Sequence, residues 1–192
     1  MEKLSEQYWK ERYQKQEIGW DLGEVSPPIK AYFDKVEHKE LKILIPGCGN
    51  GYEGRYLFNK GFKNVHLLDF ASEPLETFLL NTPGFPKGNL HNEDFFRHKG
   101  EYDIIVEQTL FCAIDPKLRL EYAEHLKSLL REGGKVIGLL FNRDFPSGPP
   151  YGGDKNEYAG YFTPNFTKVK MDNCYNSIAP RKESELFIQL DK

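Results

Sequence analysis

The chain has 192 residues, a length that suits one domain built from a sheet and two helical layers. Hydrophobic residues at 39% and aromatics at 14% are compatible with a packed core, and 29 acidic against 26 basic residues leave a formal net charge of −3. That balance lacks the basic excess of nucleic-acid binders, and no apolar run approaches membrane-spanning length, so neither partner is expected.

In chain order, residues 5–16 read as a helix carrying Trp9 and Tyr13 four apart on one face, with Trp20 just beyond. About forty residues precede the first strand, so 1–40 is taken as an N-terminal lid on a core of 41–192. Short apolar runs at 41–45, 65–69, 102–106 and 135–141 predict buried strands, and 88–93 is a weaker candidate for one more. Helices are predicted between them. One spans 51–60 with Gly61 as its stop; another is capped by Ser72, with Leu75, Phe78 and Leu79 as its apolar face. The longest opens at Asp115-Pro116, with Leu118, Tyr122, Leu126 and Leu129 at helical spacing. The stretch 142–160, rich in Gly, Pro and Asn, reads as a long loop near the site. Residues 174–179 and 185–191 read as an antiparallel pair. Strand alternating with helix predicts a single α/β domain with a doubly wound, mostly parallel sheet.

In such sheets ligands bind where the first strand turns into its helix, here Pro46-Gly47-Cys48-Gly49-Asn50-Gly51. Asp69 ends the second strand twenty residues after Gly49, where a carboxylate accepts from a ribose diol. The run Gly49 to Gly54 also satisfies the dinucleotide pattern G-x-G-x-x-G. Against NAD stand the earlier Gly47, and Glu53, whose charge would repel a pyrophosphate at the helix start. Asp94 lies after the next strand, where it can bind an adenine amino group with Phe95 beside the ring. Adenosine without phosphates fits better. The aromatic set Trp9, Tyr13 and Trp20 suits a sulfonium cation, as well as simple packing of the lid.

With these pieces the chain resembles the thiopurine methyltransferase-like superfamily, in particular its halide and thiol methyltransferase branch. The matching segments are Trp9 to Pro27, Ile45 to Gly51, Leu68-Asp69, Glu93-Asp94-Phe95-Phe96, Phe111-Cys112-Ala113-Ile114-Asp115-Pro116 and Gly148-Pro149-Pro150-Tyr151. The resemblance implies a Rossmann-like, seven-stranded sheet in the order 3-2-1-4-5-7-6 and S-adenosylmethionine as cofactor, with S-adenosylhomocysteine as product. It implies a lid of Trp9, Tyr13 and Trp20, a methionine and ribose cradle of Gly47, Gly49 and Asp69, adenine contacts from Asp94 and Phe95, and Glu107 near the methionine end. Tyr13 stands where the family commonly has tryptophan.

The expected reaction is methyl transfer to a small soft nucleophile (a thiol, thiopurine or halide), driven by positioning and water exclusion without a metal. Tyr151 and Asp21 are the candidates nearest the acceptor, with Glu24 and Arg12 also on the lid. His38, His66, His91, His98 and His125 show no metal-ligand spacing and are expected as solvated surface residues. Three widely spaced cysteines, Cys48, Cys112 and Cys174, predict free thiols in a cytoplasmic monomer. The alternatives are a nicotinamide-dependent oxidoreductase and a cofactor-binding module without catalysis.

Overall fold

In the computed structural model, which describes residues 4–192, seven strands form one sheet. They are β1 (Lys42–Pro46), β2 (Asn64–Asp69), β3 (Leu90–Asn92), β4 (Tyr102–Gln108), β5 (Leu130–Phe141), β6 (Lys168–Asn173) and β7 (Glu185–Asp191). The order is β3-β2-β1-β4-β5-β7-β6, and β7 runs antiparallel to both β5 and β6 while the other pairs are parallel. The expected strand order is therefore present.

Side chains alternate across the sheet, so neighbouring residues of one strand feed two separate cores. On one face Ile43, Ile45, Ile104 and Val106 pack against α2 (Pro27–Phe33), α3 (Tyr52–Asn59) and α4 (Ser72–Asn81) through Ile29, Phe33, Leu57, Leu75 and Phe78. On the other, Leu44, Ile105, Val136 and Leu140 meet α5 (Arg119–Leu129) and α6 (Lys155–Phe162) through Tyr122, Leu126, Tyr158 and Phe162. The N-terminal helix α1 (Glu6–Gln14), capped by Ser5, contributes no fully buried residue. It leans on α4, where Gln14 Nε2 donates to Glu73 at 3.1 Å.

Three expectations are corrected. The segment 142–160 is not all loop, because α6 begins at Lys155. Asp154 caps it, accepting from the N–H groups of Asn156 and Glu157 at 2.7 and 2.9 Å, and Asp154 with Glu157 at the third position is a helix-start signal visible in the sequence. The closing helix that the resemblance implies before the last two strands, with room for barely two turns at 163–171, is not formed, since from Lys168 the chain is already β6. Its lysines, Lys168 and Lys170, point outward while Met171 is buried, an alternation of period two suited to a charged edge strand. Residues 174–179 are irregular, so β7 pairs with β6 and not with that segment. β5 also starts at Leu130, five residues early, with an irregular register against β4 and positive φ (75°) at Gly133.

Candidate functional site

The turn from β1 into α3 lies at the carboxyl end of the central strands. Gly47 and Gly49 have φ of 61° and 52°, a region that costs other L-residues about 1–2 kcal/mol. A Cβ at Gly47 would come within 2.9 Å of Leu110 Cδ1, and one at Gly49 within 2.9 Å of the Tyr13 hydroxyl. Backbone is thus exposed to whatever approaches from the lid side.

Asp69 fastens this loop. Its carboxylate accepts from Gly49 N–H at 2.8 Å and from Ala71 N–H at 3.0 Å. Burial at 7% exposure outweighs those two bonds and pushes its pKa up to about 6. Two of the roughly four lone-pair positions of a carboxylate are used, so further donors can be taken.

The lid closes over the loop. Trp20 makes edge contacts with Trp9 and Tyr13, at centroid separations of 5.4 and 5.8 Å, and the Arg12 guanidinium lies 5.6 Å from its ring. Burial, with Asp69 nearby, raises the Tyr13 hydroxyl well above the ordinary tyrosine range, so it stays protonated. Asp21 is committed to the same closure: it accepts from Gly23 N–H at 2.6 Å, from the Asn50 side-chain amide and from Tyr52 Oη at 3.3 Å. Arg181, buried at 8% exposure, donates to the Trp20 carbonyl at 2.9 Å and pairs with Glu185 at 3.4 Å. This tie from the C-terminal segment to the lid had no local sequence signal.

A second group of residues gathers around the end of β4. Glu107 is 1% exposed; its carboxylate accepts from Phe111 N–H at 3.0 Å and from the Tyr122 hydroxyl, and burial pushes it up to about 7. It braces the loop after β4, where Thr109 holds φ of 68°, an outlier for a β-branched residue. Tyr151 N–H donates to the Cys112 carbonyl at 2.7 Å, seating the 148–153 loop against that turn. Arg119, 1% exposed, clamps the same loop with bonds to the Tyr151 and Gly152 carbonyls (3.2 and 2.9 Å) and to Glu157 at 2.7 Å, and lies 4.6 Å from the Phe111 ring.

After β3, Asp94 is half-buried and caps a single 3-10 turn, accepting from Phe96 N–H at 3.0 Å. Phe95 turns inward, 4% exposed, against Tyr122 and His125. The histidines correct the expectation of scattered surface residues. His98 is 2% exposed, and His66, His91 and His98 lie ring beside ring. Burial lowers His66 to about 4 and lowers His91 as well.

With this geometry in place, the sequence matches the profile of the Thiopurine S-methyltransferase family over residues 4–188. The chain belongs to that family. It is a methyltransferase that uses S-adenosylmethionine. A probable thiol methyltransferase 2 of Arabidopsis thaliana is 29% identical, covering 92% of this chain and 81% of its own length. A thiocyanate methyltransferase 1 of Brassica oleracea is also 29% identical, over 96% and 84%. A thiopurine S-methyltransferase of Pseudomonas fluorescens is 26% identical, over 83% and 82%. Among solved structures, the 1,6-didemethyltoxoflavin-N1-methyltransferase of Burkholderia thailandensis superposes with a TM-score of 0.74 over 97% of this chain and 86% of its own, at 14% identity.

The residues present fit the cofactor. Glycine backbone lies bare beneath the Tyr13 hydroxyl, and the buried Asp69 has acceptor capacity to spare for a diol. Family membership sets aside the nicotinamide alternative. Glu53 also has a different task from the one expected: its carboxylate, 6% exposed, accepts from Ser26 N–H at 2.9 Å and so anchors the lid segment to α3. The third glycine of the pattern, Gly54, serves packing, since a Cβ there would lie 2.5 Å from Leu67 Cδ2.

Proposed function

We propose that this methyltransferase acts on a small, soft acceptor that is an anion or ionises near neutral pH: a thiol, thiopurine or halide. The observation that carries this reading is the commitment of the carboxylates around the glycine loop. Asp21 and Glu107 each accept at least two hydrogen bonds and Glu53 lies buried against the Ser26 N–H, while the acceptor capacity that Asp69 retains is assigned to the ribose. An acceptor that must lose a proton to a side-chain base is poorly served there. A thiolate or halide needs none, and the sulfonium of the cofactor supplies an already activated methyl group. The names of the relatives, which include thiol, thiocyanate and thiopurine methyltransferases, support the same class.

In this reading Gly47, Gly49 and Asp69 hold methionine and ribose, Asp94 and Phe95 flank adenine, and Glu107 shapes the methionine end through the loop it braces. Trp9, Tyr13 and Trp20 cover the cofactor, exclude water and set the methyl group in line with the acceptor. Tyr151 orients the acceptor, and Asp21 acts by holding the lid to Asn50. The site also protects itself. Cys48 lies in the cradle, and burial beside Asp69 and Glu53 raises its thiol well above the ordinary range, so it does not compete for the methyl group. Three unpaired cysteines fit a monomer in a reducing, cytoplasmic compartment, and no described helix is long and apolar enough to cross a membrane.

The test compares initial rates with methyl-labelled cofactor on soft acceptors (an aryl thiol, bisulfide, iodide, a thiopurine) and hard ones (a phenol, an amine, a carboxylate). Turnover is expected on at least one soft acceptor and on none of the hard ones. Transfer to the hard set alone would overturn the proposal.

A further inference from the structure

The histidine cluster lies on the sheet face opposite α2, α3 and α4, at the β3 edge, and no step of methyl transfer uses it. His66 on β2 stacks on His91 of β3, with centroids 5.3 Å apart and planes 13° from parallel, and His66 Nδ1 lies 3.0 Å from His91 Nε2. The His98 ring is 4.8 Å from that of His91. His98 Nδ1 faces Glu93 Oε1 at 2.7 Å, while its Nε2 faces the Tyr102 hydroxyl at 2.7 Å. One candidate ligand atom from each of His91, Glu93 and His98 lies within 4.8 Å of the other two.

We propose that His91, Glu93 and His98 form a binding site for one divalent transition-metal ion, separate from the cofactor cradle. Tetrahedral zinc, with bonds of about 2.0–2.1 Å, sets its ligand atoms roughly 3.3 Å apart. The separations here are within about 1.5 Å of that, and Glu93, with its side chain 42% exposed, is free to make the adjustment. Two imidazoles and one carboxylate form a borderline donor set that suits zinc, cobalt or nickel over calcium or magnesium. Three protein ligands leave a further position for water. Neighbours already hold the two rings, His66 through His91 and Tyr102 through His98, as the outer partners of metal-bound histidines do.

Access is from the surface. Glu93 is exposed at the surface, and His98 also lines a surface hollow with His125, Arg97 and Lys99. Those cations, and Lys42 over the Tyr102 ring, oppose a bound dication, so affinity below that of closed thiolate sites is expected. A bound ion would tie β3, only three residues long, to the 3-10 turn that carries Asp94 and Phe95.

The full chain, dialysed against chelator, is titrated with Co²⁺ and followed by visible absorption, then challenged with Zn²⁺. The expected result is saturable binding of one Co²⁺ per chain, displaced by Zn²⁺, with Zn²⁺ raising the thermal midpoint. Glu93→Gln and His91→Gln should each weaken binding more than about tenfold, and the exposed control His38→Gln should not. Glu93→Gln touches a partly exposed side chain, so circular dichroism should show an intact fold. Absence of saturable binding would leave the cluster a histidine–carboxylate hydrogen bond and overturn the proposal. So would binding unaltered in both variants, which would assign the ion to other residues such as the three thiols.

Discussion

The Asp69 carboxylate accepts the Gly49 backbone N–H at 2.8 Å, so the acid expected to hold the ribose is also the strut that shapes the glycine loop. Its pKa, raised by burial from 3.8 to about 6, makes cofactor affinity depend on pH. Hydroxyl donors favour the ionised form, so binding releases a proton wherever free Asp69 is protonated. Affinity for S-adenosylhomocysteine should therefore rise between about pH 5 and pH 7 and then level off, measured by calorimetry at several pH values.

Stability should run the other way. Glu107 is raised from 4.5 to about 7, so between those values the native chain holds a proton that the unfolded chain has lost. With more protons bound in the native state, unfolding free energy falls as pH rises through that window, by up to about 3 kcal/mol. Asp69 adds a fall in the same direction below about pH 6. Urea melts at pH 5 and pH 8 should show the loss, and Glu107→Gln should flatten it. A wild-type midpoint that rises toward pH 8 would refute the assignment.

Trp20→Ala separates a lid from a packing staple. α1 buries no residue fully, so its removal from Trp20 should move the thermal midpoint little. Cofactor KM should rise and kcat fall, because Trp9 and Tyr13 lose the ring between them. A lowered midpoint with unchanged kinetics would favour packing alone.

Arg119→Ala removes the clamp on Tyr151, Gly152 and Glu157 from a fully buried position. Glu157 is exposed, so the loss comes chiefly from the two part-buried carbonyls left without their donor, about 1–3 kcal/mol. Arg119→Lys should keep part of the stability but lose the three-way bridge, exposing 142–154 to limited proteolysis. If the lysine variant resists protease as the wild type does, the clamp is not what orders the loop.

The parallel core was legible because β1, β2, β4 and β5 carry apolar residues on both faces, and the proposed cradle rests on the fixed offsets of Gly47, Gly49 and Asp69 from strand ends. The C-terminal third was harder to read. Tyr158 and Phe162 of α6 follow a polar, glycine-rich stretch that masks their helical spacing, although Asp154 and Glu157 marked the start. β6 is an edge strand whose charged outer face hides its pattern. Arg119, Arg181 and His66 act through partners tens of residues away, and although His91, Glu93 and His98 lie within eight residues, their spacing alone does not show that β3 and the turn after it bring them together.

Calorimetric titration of S-adenosylhomocysteine into wild type, Asp69→Asn and Asp69→Ala tests the cradle most directly. Both variants should lose about 1–3 kcal/mol of binding free energy, the alanine more than the asparagine, which keeps one acceptor oxygen. Unchanged affinity in folded Asp69→Ala would contradict the assignment of the loop from Pro46 to Gly51 and its acid as the seat of the cofactor.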